Sequence, residues 1–265
     1  MQPMQRDATT RSRARIVLFG DSITQHSFNV GGWGQRMADY YVRRADVLNR
    51  GFSGYNTDWA LYTLSEIFGE NDATPALATI FFGANDACDP KVHPRQHVPV
   101  DRFKANLKKI VQHIQGTSKK GAPEPKIVVI APPPVDVPRR LEFQKEKYGD
   151  KATGVAARSL ELAKTYAEAC VSVGSEMKIP VLNVCKLMID KGDWKGYLND
   201  GLHLSAEGNE FVFEALVALI TKEYPDLRVT TNTKDGTKSC PALPKHFPWH
   251  DEIDYKDSSK AFGFK

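Results

Sequence analysis

The sequence predicts an α/β fold in three layers, α/β/α, around a five-stranded parallel sheet. Three observations carry that expectation. Five short apolar runs are unbroken rather than alternating, as strands covered on both faces are. Helical patterns lie between them, the order that produces a parallel sheet flanked by helices. The length of 265 residues suits one such domain, large enough to bury about three quarters of its unfolded surface without staples.

The first run, Arg15 to Gly20, is short and branched. Similar runs follow at Asp46 to Asn49, Leu77 to Phe82, Lys126 to Ala131 and Ile179 to Val184. Thr57 is placed to cap a helix running to Phe68. Phe103, Leu107, Ile110, Val111 and Ile114 fall on one face of a helix that Gly116 closes. Pro132, Pro133 and Pro134 end the fourth strand and begin a loop. Residues 153 to 177 are rich in Ala, Leu and Glu and read as one long helix. Ser205 caps the last helix, with Glu207 in its first turn and Val212, Leu216, Leu219 and Ile220 on one face.

No internal repeat and no Gly/Ser linker divides residues 15 to 224, which read as one domain. Residues 1 to 14 read as a disordered lead. Residues 225 to 265 form a C-terminal extension, polar from Thr230 to Lys238 and then rich in large apolar groups: Leu243, Phe247, Trp249, Ile253, Tyr255 and Phe262. A disordered tail has no need of such side chains. The segment Pro241 to Tyr255 is therefore expected to dock on the body of the same subunit, or on a partner subunit in a homodimer.

Composition narrows the function classes. Hydrophobic residues are 41% and charged residues 26%, which excludes a wholly disordered chain. Lys and Arg number 36 against 32 Asp and Glu, a net charge of +4 with no basic stripe, so nucleic acid is not an expected partner. No run of about 18 apolar residues predicts a transmembrane segment. The N-terminus lacks the apolar core of a secretory signal, which points to the cytoplasm. Its arginines are the one feature that would suit organelle targeting. Cys88, Cys170, Cys185 and Cys240 show no C-x-x-C spacing, so free thiols are expected rather than a zinc or redox site. Neither G-x-G-x-x-G nor G-x-x-x-x-G-K occurs, so no nucleotide cofactor is expected.

In a parallel sheet the loops after the strands share one edge, where ligands bind. The first strand leads into Gly20, Asp21 and Ser22. The second leads to Gly54, the third to Gly83, Ala84, Asn85 and Asp86, and the fifth, after a short helix, to Asp200 and His203. Singly, each has a plainer reading. Ser22 and Asn85 can cap helices, Gly54 can serve a turn, and His203 can be a surface histidine. Asp200 and His203 could offer two metal ligands, but no further ligand cluster accompanies them, and no metal is expected. His93 and His97 are separated by Pro94, which breaks any helix that would align them. Cys88 reads as a buried, inert thiol. Together, however, the strand-end residues supply a nucleophile, a base, its orienting carboxylate and oxyanion donors, the parts of an acyl-transfer site.

With the nucleophile near the N-terminus, the base before the last helix and no G-x-S-x-G elbow, the chain resembles the SGNH hydrolases, or GDSL esterases. It does so in four blocks: Gly20 to Ser22, Gly54, Gly83 to Asp86, and Asp200 to His203. Gly32 to Gly34, Ala45 to Thr57, Phe81 to Asp86, Gln96 to Pro99, Ala131 to Asp136 and Phe247 to Trp249 are similar to the isoamyl acetate-hydrolysing subgroup. The resemblance implies a flavodoxin-like SGNH fold, no cofactor, and a small ester as substrate. It implies Ser22 as nucleophile, His203 as base, Asp200 as its orienter, and an oxyanion hole from the Ser22 and Gly54 backbone N–H groups and the Asn85 amide. Asp21 and Asp86 are then structural. Asp58 stands where the resemblance leads one to expect arginine, and Asp89 where it leads one to expect an apolar residue. Acetates of short-chain alcohols are the expected substrates. Lysophospholipase or thioesterase activity is the alternative within hydrolases, and a non-catalytic flavodoxin-like binding module the alternative outside them.

Overall fold

The computed structural model describes residues 13–69, 72–119, 123–229, 243, 245 and 247–257. The lead up to residue 12, the stretch Thr230 to Lys238, and Cys240, Pro241 and Phe262 lie outside the described residues.

Five parallel strands form one sheet: β1 (Ala14–Gly20), β2 (Ala45–Gly51), β3 (Leu77–Phe81), β4 (Lys126–Ala131) and β5 (Val181–Asn183), in the order β2-β1-β3-β4-β5. The runs of β1, β3 and β4 are buried for the predicted reason, whereas the edge strands β2 and β5 are only partly covered, with Asp46 exposed. Ile16, Leu18, Phe19, Leu77, Ile80, Val128 and Ile130 have no exposed surface, because helices cover both faces. β5 is shorter than its apolar run, pairing only through Val181, Leu182 and Asn183.

The helices are α1 (Ser22–Gln25), α2 (Trp33–Tyr40), α3 (Thr57–Leu61), α4 (Leu64–Ile67), α5 (Val100–Gly116), α6 (Val137–Tyr148), α7 (Leu160–Met177), α8 (Val184–Asp190) and α9 (Ala206–Glu223). One layer gathers α3, α5 and α7; the other pairs α2 with α9. Phe103, Leu107, Ile110, Val111 and Ile114 of α5 are all fully buried, as their spacing required. No helix among the described residues is long and apolar enough to cross a membrane.

Three local expectations are corrected. Asn56, not Thr57, caps α3 by accepting from Trp59 N at 3.0 Å, because the Thr57 hydroxyl donates instead to Asp86. The helix then breaks before Thr63, whose hydroxyl bonds back to Ala60 O at 2.8 Å. The long helix begins at Leu160, capped by Ser159, and not at 153. Ahead of it Gly154 takes a positive φ of 64°, and Ala157 O accepts from Asp89 N. The triple proline ends β4 and begins a loop as expected, and that loop leads at Val137 into α6, which the sequence did not signal, with Pro138 in its first turn, where the missing N–H costs nothing.

The strand order reverses direction between β1 and β3, so the crevice of the sheet opens at their carboxyl ends. Ser22 lies two residues beyond the end of β1 and Asn85 four residues beyond the end of β3.

Candidate active site

Asp21 shapes the start of the site. Its Oδ1 accepts from Ile23 N at 2.9 Å, capping α1, so Ser22 opens the helix with its backbone N–H among those a helix leaves without an internal acceptor. Ser22 is buried, at 6% exposure. Its Oγ lies 2.9 Å from His203 Nε2. His203 is partly exposed and presents Nδ1 to Asp200 Oδ2 at 2.8 Å. Asp200 Oδ1 accepts from the backbone N–H groups of Leu202 and His203 at 3.0 and 2.8 Å, which fixes the carboxylate relative to the imidazole. With the carboxylate on Nδ1, that nitrogen carries the proton and Nε2 is left to accept from the serine hydroxyl. A hydroxyl, an imidazole and a buried carboxylate in line is the arrangement that activates a serine.

Burial works against ionisation of Asp200, but the His203 hydrogen bond and charge, with Arg140, hold its carboxyl well below the usual range. Arg140 donates to Asp200 Oδ2 at 2.6 Å. Gly201 makes that approach possible: its φ is +79°, and a Cβ there would stand 2.4 Å from Asp136 O and 2.6 Å from Arg140 N. The loop carrying Asp200 thus packs backbone to backbone on the start of α6.

The Gly54 loop closes the other side. Tyr55 N bonds Phe52 O at 3.1 Å, forming a turn with Gly54 at its third position and a φ of +81°. That is the conformation a type II turn asks of glycine. Asn85, buried at 4% exposure, donates Nδ2 to Tyr55 O at 2.9 Å, using one of its two amide protons. All five strand-end residues singled out in the sequence, Ser22, Gly54, Asn85, Asp200 and His203, therefore meet on one edge of the sheet.

Asp21 and Asp86 support the loops. Asp86 Oδ1 accepts from Thr57 N at 2.9 Å and Thr57 Oγ1 at 2.5 Å, tying the β3 loop to α3. Burial pushes the two carboxyls up, Asp21 to about 6 against its bond from Ile23, and Asp86 to about 7 against its bonds from Thr57. The oxygens of Asp58 are taken by Arg102 at 2.9 Å and Asn106 at 2.7 Å on α5. Asp89 accepts from Lys91 N at 2.8 Å within its own turn. His93 and His97 wrap Cys88 instead of facing one another as ligands: Cys88 Sγ bonds His93 O and Cys88 O bonds His97 Nδ1. Cys88 is fully buried, and burial pushes its thiol up.

A cavity of about 310 Å³ opens beside the imidazole, lined by Ile23, His26, Asn29, Val30, His203 and Leu204 among others. The rings of His26 and His203 meet edge to face with centroids 5.9 Å apart.

Residues 16–216 match the model of the GDSL-like lipase/acylhydrolase family. The chain belongs to that family. It is 44% identical to a GDSL esterase/lipase of Arabidopsis thaliana over 94% of this chain and 98% of the relative. It is 43% identical to the human isoamyl acetate-hydrolyzing esterase 1 homolog, over 80% of this chain and 84% of the relative. Among solved structures, a lipase/acylhydrolase from Enterococcus faecalis superposes with a TM-score of 0.61 at 27% identity, covering 79% of this chain and 96% of that one. An acetyl xylan esterase shares the fold, with a TM-score of 0.60 at 16% identity and cover of 78% and 99%. A GDSL family member with these relatives is an ester-bond hydrolase.

Three polar residues at this GDSL site carried no sequence signal of their own. Arg140, beside Arg139, and Arg158 lie far along the chain from the groups they touch. Gln96 stood out only within a stretch of family likeness.

Proposed function

We propose that this GDSL-family chain is a serine carboxylesterase acting on small carboxylic esters, acetates of short-chain alcohols among them, through an acyl-Ser22 intermediate. The observation that carries the reading is the relay of Ser22 Oγ, His203 and Asp200 at 2.9 and 2.8 Å. His203 Nε2 takes the hydroxyl proton as Ser22 Oγ bonds to the ester carbonyl carbon. Asp200 holds the tautomer and offsets the charge of the imidazolium. The carbonyl oxygen becomes an oxyanion facing the N–H groups of Ser22 and Gly54 and the free amide proton of Asn85. Three donors suit a site partly open to water, where each is worth less. As the tetrahedral adduct collapses, His203 returns the proton to the departing alcohol oxygen. Water then repeats the sequence and frees the acid.

The alcohol has to leave beside Nε2, so it occupies the cavity that His203 lines. A volume of about 310 Å³ has room for a short branched alcohol.

The test has two parts. A fluorophosphonate should label the protein at Ser22 and nowhere on Ser22→Ala. A panel of p-nitrophenyl esters should show kcat/KM falling as the acyl chain lengthens beyond a few carbons. No labelling would leave a binding module. A rise toward long chains would make it a lipid-directed or thioester hydrolase.

A further inference from the structure

Arg158 precedes α7, 73 residues along the chain from Asn85, yet it reaches the oxyanion side of the site. Its Nε donates to Ala84 O at 2.7 Å and its Nη2 to Asn85 Oδ1 at 2.7 Å and Gln96 Oε1 at 3.1 Å. Gln96 in turn donates Nε2 to Gly54 O at 2.9 Å, with Asn85 Oδ1 at 3.4 Å. Asn56 Nδ2 fixes the Gln96 backbone at 2.9 Å. The arginine itself is anchored by its backbone, since Cys88 and Arg158 form an antiparallel bridge beside the Asp89 N to Ala157 O bond.

We infer that Arg158 is a positioning residue that sets both halves of the oxyanion hole, Asn85 directly and the Gly54 loop through Gln96; the inference rests on the serine esterase reading above.

Two physical arguments carry it. A guanidinium only donates, so it accepts no orientation of either amide except the one that turns an oxygen toward it. The Asn85 NH₂ is thereby forced toward Tyr55 O and the site, and the Gln96 NH₂ toward Gly54 O. Without the arginine, each amide would be held in that orientation only by its bond to Tyr55 O or Gly54 O, and where Asn85 turned over it would offer an acceptor to a developing anion. The second argument is charge. These three acceptors are all neutral, a backbone carbonyl and two amide oxygens. A cation placed only to hold two loops together is better matched by a carboxylate, because desolvation is otherwise uncompensated. Among the described residues no carboxylate bonds Arg158, and Asp21 and Asp200 favour its charge only from a distance, so that charge polarises the Asn85 amide and is felt where the oxyanion forms, at no reorganisation cost during the reaction.

The experiment measures kcat and KM for p-nitrophenyl acetate with Arg158→Met, Asn85→Ala and the double variant. Rates are counted per site that a fluorophosphonate can label, so that misfolded protein drops out. Arg158→Met should lower kcat by about 10- to 100-fold with KM within about twofold. In the Asn85→Ala background the same change should cost less than it does alone, roughly the 3- to 10-fold that runs through Gln96 and the Gly54 loop, because the part acting through the Asn85 amide is already lost. Gln96→Met, which leaves the arginine in place, should lower kcat by roughly 3- to 10-fold. Should Arg158→Met not fold, Arg158→Lys reads the same point: it keeps the charge but not the fork, and should still lose most of the kcat. Wild-type kcat in the arginine variant, a rise in KM alone, or losses that multiply independently in the double variant would each overturn the inference while Ser22 stayed labelled. Loss of Ser22 labelling in the wild type would instead bring down the esterase reading itself.

Discussion

Arg140 Nη1 lies 2.6 Å from Asp200 Oδ2, the same oxygen that receives His203 Nδ1. One carboxylate oxygen therefore answers to two donors. The second cation holds Asp200 ionised, but it also draws off part of the charge that would stabilise an imidazolium. Arg140→Gln keeps a hydrogen-bond donor and removes the charge. The expected outcome is a kcat within about tenfold of wild type, and an acid limb of the kcat/KM profile displaced to higher pH, because the imidazolium is then better stabilised. A pH profile measured between pH 5 and 9 checks it. An unmoved limb would mean Arg140 serves only to hold the α6 loop.

Asn85→Ala removes one oxyanion donor. It should lower kcat by about 10²- to 10³-fold with KM little changed, the pattern of an interaction made chiefly in the transition state. Steady-state kinetics with a p-nitrophenyl ester decides the matter. A retained kcat with a raised KM would make Asn85 a substrate-binding group.

Asp86 gives a pH signature in stability. Its folded carboxyl is pushed up to about 7 by burial, and its Oδ2 finds no partner among the described residues. A carboxyl raised in the folded state contributes stability below its unfolded value, near 4, and loses it as pH rises toward 7. Asp86→Asn carries no such charge. The melting temperature of the variant relative to wild type should therefore climb between pH 5 and pH 8. A tenfold difference in proton affinity is worth about 1.4 kcal/mol, or roughly 3–6 °C in a domain of this size. Parallel melting curves across that range would show that Asp86 stays ionised throughout.

The parts of this fold that sequence conveys are those governed by local rules. Unbroken branched runs such as Ile16 to Phe19 can be stable only between two covering layers. Ser22, Gly54, Asn85, Asp200 and His203 sit within a few residues of strand ends or of a helix cap, so chain order alone brings them to one edge. Asn56 and Thr57 show where the local rules blur: both can cap, and Asp86, 29 residues away, claims the threonine. Arg140 and Arg158 show where such rules stop. Each meets its partner across 60 to 74 residues, and an arginine with no local partner reads as solvated surface until tertiary packing gives it an acceptor.

The final prediction concerns the C-terminal extension and a strained residue beneath it. Arg43, in the turn between α2 and β2, holds a left-handed φ of 61°, which costs a non-glycine residue about 1 kcal/mol. Its guanidinium lies 4.2 Å from the centroid of the Trp249 ring and donates to Pro248 O at 2.5 Å. The neighbouring Arg44 donates to Leu243 O at 2.6 Å, and Leu243 packs against the core. These contacts favour docking on the same subunit. A cation over an exposed indole is worth about 0.5–1 kcal/mol, and burial of Leu243 adds up to about 1.5–3 kcal/mol. Deleting everything after Thr237 should thus lower the melting temperature by several degrees. Arg43→Gly separates the contributions, because it relieves the strained φ while removing the contact. In the full chain the two effects oppose one another, and the variant should be neutral or slightly destabilised. In the shortened chain only the relief remains, and the same substitution should stabilise. Melting curves for the four proteins test the coupling. If Arg43→Gly shifts the melting temperature equally in both chain lengths, the extension does not rest on Arg43, and its apolar groups answer to some other surface.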